Sequence, residues 1–161
     1  MENGVNTSLI YLENDGKYLM LHRIKKKDDI NKDKWLGVGG KFEKDETAFD
    51  CANRELFEET GLTNIDLKYR GIVTFILNKN FTEYMHLFTG KVEKDNDLLT
   101  IKNTECKEGN LEWVEKVKVL TLPIWEGDKI FFKLLNEETR FFNLTLEYAG
   151  DKLIDSKLTF K

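Results

Sequence analysis

The segment Gly40 to Leu62, GKFEKDETAFDCANRELFEETGL, constrains this chain more than any other. Thr47 to Thr60 is rich in helix-forming residues and stops at Gly61, a good left-handed C-cap, which predicts one helix over 47–60. On that helix Glu55, Glu58 and Glu59 stand at i, i+3 and i+4, so their side chains gather within an arc of roughly 100° over about one turn. Three crowded like charges destabilise one another unless a cation neutralises them, and hard carboxylate oxygens select Mg²⁺ or Mn²⁺ over softer metals. A Glu-rich helix face is ordinarily solvated. Here the same face carries Ala48, Cys51 and Ala52 one and two turns earlier, small residues suited to packing on a sheet. The carboxylates are therefore expected to continue a buried stripe.

The residues around this cluster extend the same chemistry. Arg54 presents a rigid fork of donors and is expected to pair with Glu58 or Glu46, holding a carboxylate in a metal-binding rotamer. Gly39 and Gly40 let backbone approach a ligand closely, and Lys41 can reach a phosphate oxygen. The chain carries a formal net charge of -4, which argues against a stable nucleic-acid polymer as partner. Divalent cations between carboxylates and phosphates reconcile an acidic protein with a polyphosphate ligand.

With 161 residues, 40% of them hydrophobic, the chain is long enough for one domain spanning 1–161, and no linker or repeat divides it. No basic and apolar leader opens it, no apolar run is long enough for a membrane span, and two cysteines, Cys51 and Cys106, suggest free thiols. A soluble cytoplasmic protein, monomer or homodimer, is expected. Asn6 to Glu13 and Lys17 to Ile24 read as a hairpin across Asn14-Asp15-Gly16. Lys25 to Lys34 reads as an exposed charged loop. Leu67 to Leu77 and Tyr84 to Val92 predict a long hairpin, Leu111 to Val114 a short strand, and Phe141 to Tyr148 with Lys152 to Phe160 a terminal hairpin. Glu126 to Asn136 places Ile130, Phe131, Leu134 and Leu135 at helical spacing, as a core-facing stripe. This order of elements predicts an α+β fold, a mixed sheet flanked by helices.

Gly40 to Leu62 also satisfies G-x5-E-x7-R-E-U-x-E-E-x-G-U, with U a bulky aliphatic, at every defined position; a chance match is on the order of 10⁻⁹ per window. This is similar to the Nudix box. Across its length the sequence resembles the MutT-type Nudix hydrolases, and within them the MutX-like and mammalian-type enzymes that sanitise oxidised purine nucleoside triphosphates. Trp35-Leu36-Gly37-Val38-Gly39-Gly40-Lys41, Glu108-Gly109 before Leu111-Glu112-Trp113-Val114, and Pro123-Ile124-Trp125-Glu126-Gly127-Asp128 carry that resemblance beyond the box, as does the closing hairpin.

The resemblance implies a Nudix fold with the sheet sandwiched between helices in three α/β/α layers. It implies that Glu55, Glu58, Glu59 and Glu108 bind Mg²⁺, or Mn²⁺, and that one of them deprotonates the attacking water. It implies Arg23 near the substrate, Trp125 and Asp128 in a purine pocket, and hydrolysis of a nucleoside triphosphate such as 8-oxo-dGTP to a monophosphate and pyrophosphate. Two residues depart from the pattern: Leu36 stands where mammalian-type members use a polar amide, and Gly127 replaces the first of two acidic residues. The nearest rival readings are Nudix enzymes acting on an RNA 5′ end, ADP-ribose or dinucleoside polyphosphates, since the box specifies pyrophosphate chemistry and not the attached group. A non-catalytic nucleotide sensor is the rival from another class, and its expected mark is a damaged box.

Overall fold

The computed structural model describes residues 4–25 and 27–161. Strand β1 (Gly4–Asn14) is the spine of the fold. Its central run from Thr7 to Leu12 is buried throughout, because successive residues feed two different cores. Leu9 and Tyr11 enter one cluster with Val73, Phe131, Phe132 and Leu144, while Ile10 and Leu12 enter another with Ala52, Leu56, Phe88 and Val92.

β1 turns through Asn14-Asp15-Gly16 into β2 (Lys17–Arg23), as the turn residues predict. β3 (Trp35–Leu36) lies on β2, whereas β4 (Val38–Lys41) lies on β1 between Thr7 and Ile10. Helix α1 (Ala48–Thr60) follows. Thr47 caps it, its hydroxyl accepting from the Asp50 amide and its own amide donating to the Asp50 carboxylate, and Gly61 ends it at φ 79°.

β5 (Lys68–Leu77) and β6 (Phe81–Lys91) form the long hairpin, and β6 runs parallel to β1 from Gly4/Thr82 to Glu13/Lys91. Next come α2 (Asp95–Asn103), β7 (Gly109–Glu115) paired with β2, and the short α3 (Lys116–Val119). α4 (Asp128–Glu137) leads into the terminal hairpin of β8 (Phe142–Ala149) and β9 (Lys152–Phe160), in which β8 runs parallel to β5. The result is a mixed nine-stranded sheet in the order β3-β2-β1-β6-β5-β8-β9, with β4 added to β1 and β7 to β2. One core lies between the sheet and α4, the other between the sheet and α1, which gives the expected three layers.

Three expectations are refined. The helical stripe of α4 buries Phe131 and Leu135 fully, and Phe132 with them, while Ile130 and Leu134 are half-buried, so the stripe is rotated toward Phe132. The stretch from Glu93 to Lys107, which shows no clear periodicity, holds α2, whose packing rests largely on buried Ile101. Much of the loop between β2 and β3 is exposed as predicted, Lys26 lying outside the described residues, but Asp29 and Asn31 turn inward toward the site. No helix among the described residues is long and apolar enough to cross a membrane.

Candidate active site

Arg23, Lys41, Arg54, Glu55, Glu108, Trp125 and Asp128 line one cleft of about 940 Å³ between the sheet, the loop 27–34 and the start of α4, whereas Glu58 and Glu59 lie outside its lining. Its floor follows from strand alternation. On β1, Thr7 and Leu9 point into it; on β4, their ladder partners Lys41 and Gly39 do the same; on β6 and β5, Glu83, Met85 and Phe75 continue the row. Glu55 and Arg54 reach the cleft from α1 past the narrow β4 edge.

That passage depends on glycine. A Cβ on Gly40 would sit 2.7 Å from the Glu55 carboxylate, and one on Gly39 would sit 1.9 Å from the Ser8 carbonyl oxygen. The bare Gly39 amide donates to Glu59 Oε2 at 2.7 Å, fixing a carboxylate that is only 5% exposed. The glycines thus bring backbone close to the acidic helix itself, a more local role than the ligand approach expected of them.

Burial dominates the electrostatics here. It pushes the Glu59 carboxyl up to about 8, against the Gly39 N–H that favours the ionised form, and repulsion from Glu55 and Glu108 adds to the rise. Glu55 is raised for the same reason, burial, opposed by Arg54 and reinforced by the Glu58 and Glu108 charges. Glu55 therefore feels both Glu58 and Glu108, and Glu59 feels Glu55 and Glu108. Glu58 stands apart: its side chain is 52% exposed and turned to Arg54, so it does not continue the buried stripe as Glu55 and Glu59 do. The reason is helical phase, since position 58 lies directly over position 54.

Arg54 is the organiser. Its Nε and Nη2 donate to the two oxygens of Glu46 at 2.7 and 2.9 Å, and its Nη1 donates to Glu55 and Glu58 at 2.8 and 2.9 Å. Both predicted partners, Glu46 and Glu58, are engaged, and the Arg54 bonds hold the Glu46 carboxyl below its ordinary range. Nη2 also donates to the Lys41 carbonyl oxygen, tying the helix to the loop before it.

Opposite α1, Arg23 at the end of β2 pairs with Asp29 at 2.9 Å and lies 3.7 Å from Glu108, which precedes β7. Glu108 thereby faces the helix carboxylates from another strand, and Arg23 and Lys41 supply positive charge along the cleft. The donors present are hard oxygens with raised proton affinity and mutual repulsion, which fits a divalent cation. Among the described residues no three His, Cys, Asp or Glu side chains are gathered as a ready-made ion cage. The charges of Glu58 and Glu108 act on Glu55, and those of Glu55 and Glu108 act on Glu59.

The inner end of the cleft is aromatic. Trp125 is 5% exposed, packs edge-on against Phe75 at 5.0 Å and Tyr148 at 4.9 Å, donates from Nε1 to Asn31 Oδ1 at 2.7 Å, and has Lys34 Nζ 4.6 Å from its ring centroid. Most of this tryptophan is packing, and only a small surface lines the cleft. Asp128 is the first residue of α4, makes no side-chain capping bond, and is 3% exposed against the cleft. Burial holds its carboxyl well above the ordinary range, with Glu83 adding to the rise while the Trp125 backbone N–H and Lys34 oppose it. A capping role is thereby set aside.

The structure also accounts for one departure from the family pattern. Gly127 donates its N–H to the Tyr148 hydroxyl at 2.7 Å, and a Cβ there would stand 2.6 Å from Leu146 and 2.7 Å from that hydroxyl, so a side chain at position 127 would have to displace Leu146 and the Tyr148 hydroxyl. Leu36 lines the cleft as an apolar wall, and the nearby amide group comes from Asn31 on the loop. Residues that sequence reasoning missed include Glu83, Thr7, Phe75 and Met85. The available signal was the period-two row Phe81, Glu83, Met85, Leu87, which a strand begun at Tyr84 cuts short.

These features agree with what the chain is similar to. The model of the NUDIX domain matches residues 2–135, and the chain belongs to the Nudix family, as a hydrolase. It is 28% identical over 134 residues to the oxidized purine nucleoside triphosphate hydrolase of Danio rerio, covering 83% of this chain and 82% of that one. It is 32% identical over 121 residues to an uncharacterized Nudix hydrolase of Bacillus subtilis, covering 73% and 70%. Among solved structures, the MutT protein of Bacillus halodurans superposes with a TM-score of 0.77 at 25% identity, covering 96% of this chain and 97% of that one.

Proposed function

We propose that this protein hydrolyses oxidised purine nucleoside triphosphates, 8-oxo-dGTP foremost, to the monophosphate and pyrophosphate in a Mg²⁺-dependent reaction that cleans the cytoplasmic nucleotide pool. The observation that carries this reading is the one cleft that Glu55 of α1 and Glu108 line together with Phe75, Trp125 and Asp128. The names of the vertebrate relatives point the same way.

Glu55, Glu58, Glu59 and Glu108 would hold Mg²⁺, or Mn²⁺, and the bound ion supplies phosphate charge screening and a more acidic water. Arg54 keeps Glu55 and Glu58 in position. Arg23 and Lys41 bind phosphate oxygens, one of the glutamates takes the proton of the attacking water, and Trp125 and Asp128 receive the base.

The test is a kcat/KM panel with Mg²⁺ that includes ordinary and oxidised nucleoside triphosphates, ADP-ribose, a dinucleoside polyphosphate and an RNA with a 5′ triphosphate. An oxidised purine triphosphate is expected to be the preferred substrate. Reaction in ¹⁸O-labelled water is expected to label pyrophosphate, as attack at the β-phosphorus requires. Preference for one of the last three compounds, or label found in the monophosphate, would refute the assignment.

A further inference from the structure

On β6 the residues Phe81, Glu83, Met85 and Leu87 share one face, and the three apolar members pack into the core beneath α4. A carboxylate in such a row is unfavourable unless it is paired or used. Glu83 is not paired by a cation: among the described residues no lysine or arginine forms an ion pair with it, and its hydrogen-bond partner is the Thr7 hydroxyl, which donates to Oε2 at 2.8 Å. Glu83 lines the cleft, its Thr7 bond is made at Oε2 and leaves Oε1 unengaged by it, and the charges of Lys41 and Arg23 reach the carboxylate without forming an ion pair. Burial raises the proton affinity of this carboxyl, as it does for Asp128, and the Glu83 charge is felt at Asp128.

Its place is the aromatic end. Glu83 lies directly across the β5–β6 ladder from Phe75, and Phe75 meets Trp125 edge-on at 5.0 Å. Two carboxyl groups, from β6 and from α4, therefore border the surface to which a planar base would be held. An ionised carboxylate offers acceptors alone, whereas a neutral carboxyl offers one donor and one acceptor. A base edge that sets N–H donors beside a carbonyl acceptor meets both needs, the donors going to the carboxylate oxygens and the carbonyl accepting from the neutral carboxyl. Guanine-type purines carry such donors at N1 and the 2-amino group, hypoxanthine keeps only the first, and adenine lacks a ring N–H on that edge.

We propose that Glu83 is a specificity-determining residue, held by Thr7, whose free oxygen accepts N–H donors from the base of the bound nucleotide and so, with Asp128, selects guanine-type purines. This rests on the reading of the cleft's inner end as a base pocket. Removing an acceptor from a buried donor commonly costs about tenfold to hundredfold in discrimination.

The experiment measures binding of guanosine, inosine, adenosine and cytidine monophosphates by calorimetry in EDTA, so that metal binding and hydrolysis do not enter, for the native protein, Glu83→Gln and Thr7→Val. Glu83→Gln is expected to weaken guanosine monophosphate about tenfold or more relative to adenosine monophosphate, with inosine monophosphate between them. Thr7→Val, which leaves the carboxylate in place but unheld, is expected to shift the same ratio less. Equal losses for all four, or no loss, overturns the proposal. Should the native protein hydrolyse no nucleoside triphosphate with Mg²⁺, the functional reading fails independently, and the binding ratios still decide the role of Glu83.

Discussion

The two ends of the cleft are built in opposite ways. The carboxylate end comes mainly from one helix, where Glu55, Glu58 and Glu59 are fixed by helical spacing and one arginine, Arg54, holds three glutamates at once. The base end is assembled from β1, β5, β6, the loop after β2 and α4, which contribute Thr7, Phe75, Glu83, Asn31, Trp125 and Asp128 around the same space. Under the proposed function, the difference makes reactivity depend largely on one short segment and selectivity on the tertiary fold. Substitutions at the first end should lower turnover of every substrate alike, and substitutions at the second should change ratios between substrates.

The largest effect is expected at Glu58. Glu58→Gln keeps the shape, removes one charge and leaves an exposed position structurally undisturbed, so kcat should fall by roughly three orders of magnitude for purine and pyrimidine triphosphates alike. Near-native turnover would show that the Arg54-bound orientation of Glu58 persists during catalysis and that Glu55, Glu59 and Glu108 suffice. Next comes Asp128→Asn, expected to reduce kcat/KM for oxidised guanine triphosphate by about tenfold to hundredfold more than for a pyrimidine triphosphate, with little change in Tm. Uniform loss would erase the contrast between the two ends.

A smaller effect is expected from Gly40→Ala. The added methyl must displace the Glu55 carboxylate, so activity should drop about tenfold, with a matching loss of Mg²⁺ affinity and an unchanged substrate ranking. A changed ranking would mean that Gly40 belongs to the selective end.

The smallest effect concerns stability and pH. The Glu59 carboxyl titrates near 8 in the fold and in the ordinary glutamate range when unfolded, so the native state binds the extra proton more tightly. Its contribution is fully present below the unfolded value and is lost as pH rises through the folded one. The metal-free protein should therefore lose a few degrees of Tm between about pH 5 and 8, and Mg²⁺ should restore them with release of protons, detectable as a buffer-dependent binding enthalpy. A metal-free Tm that climbs over this window contradicts the assignment.

What could be read from sequence follows the same division. Thr47 to Gly61 carries its start, its stop and its charged face in consecutive residues, and the hairpins of β1–β2 and β8–β9 announce themselves through Asn14-Asp15-Gly16 and Ala149-Gly150-Asp151. The inward turn of Asp29 and Asn31 could not be read, because nothing local distinguishes a loop that folds back onto Arg23 and Trp125 from one that faces water. Sequence alone does not tell a carboxylate near a helix N-terminus that caps the helix from one that faces a cleft; the burial of Asp128 beside Tyr148 and its missing capping bond are visible only in the fold. Glu83 was hidden by a strand boundary three residues late, since period two reveals an inward-facing charge only once the strand's start is known.

The Tyr148 hydroxyl that receives the Gly127 amide belongs to β8, beyond residue 135 where the match to the family's domain ends. That strand touches the back of Trp125 and the first turn of α4 without belonging to the acidic box. The terminal hairpin therefore braces the wall of the cleft from behind, and exchanging it between relatives tests whether that bracing reaches the choice of substrate.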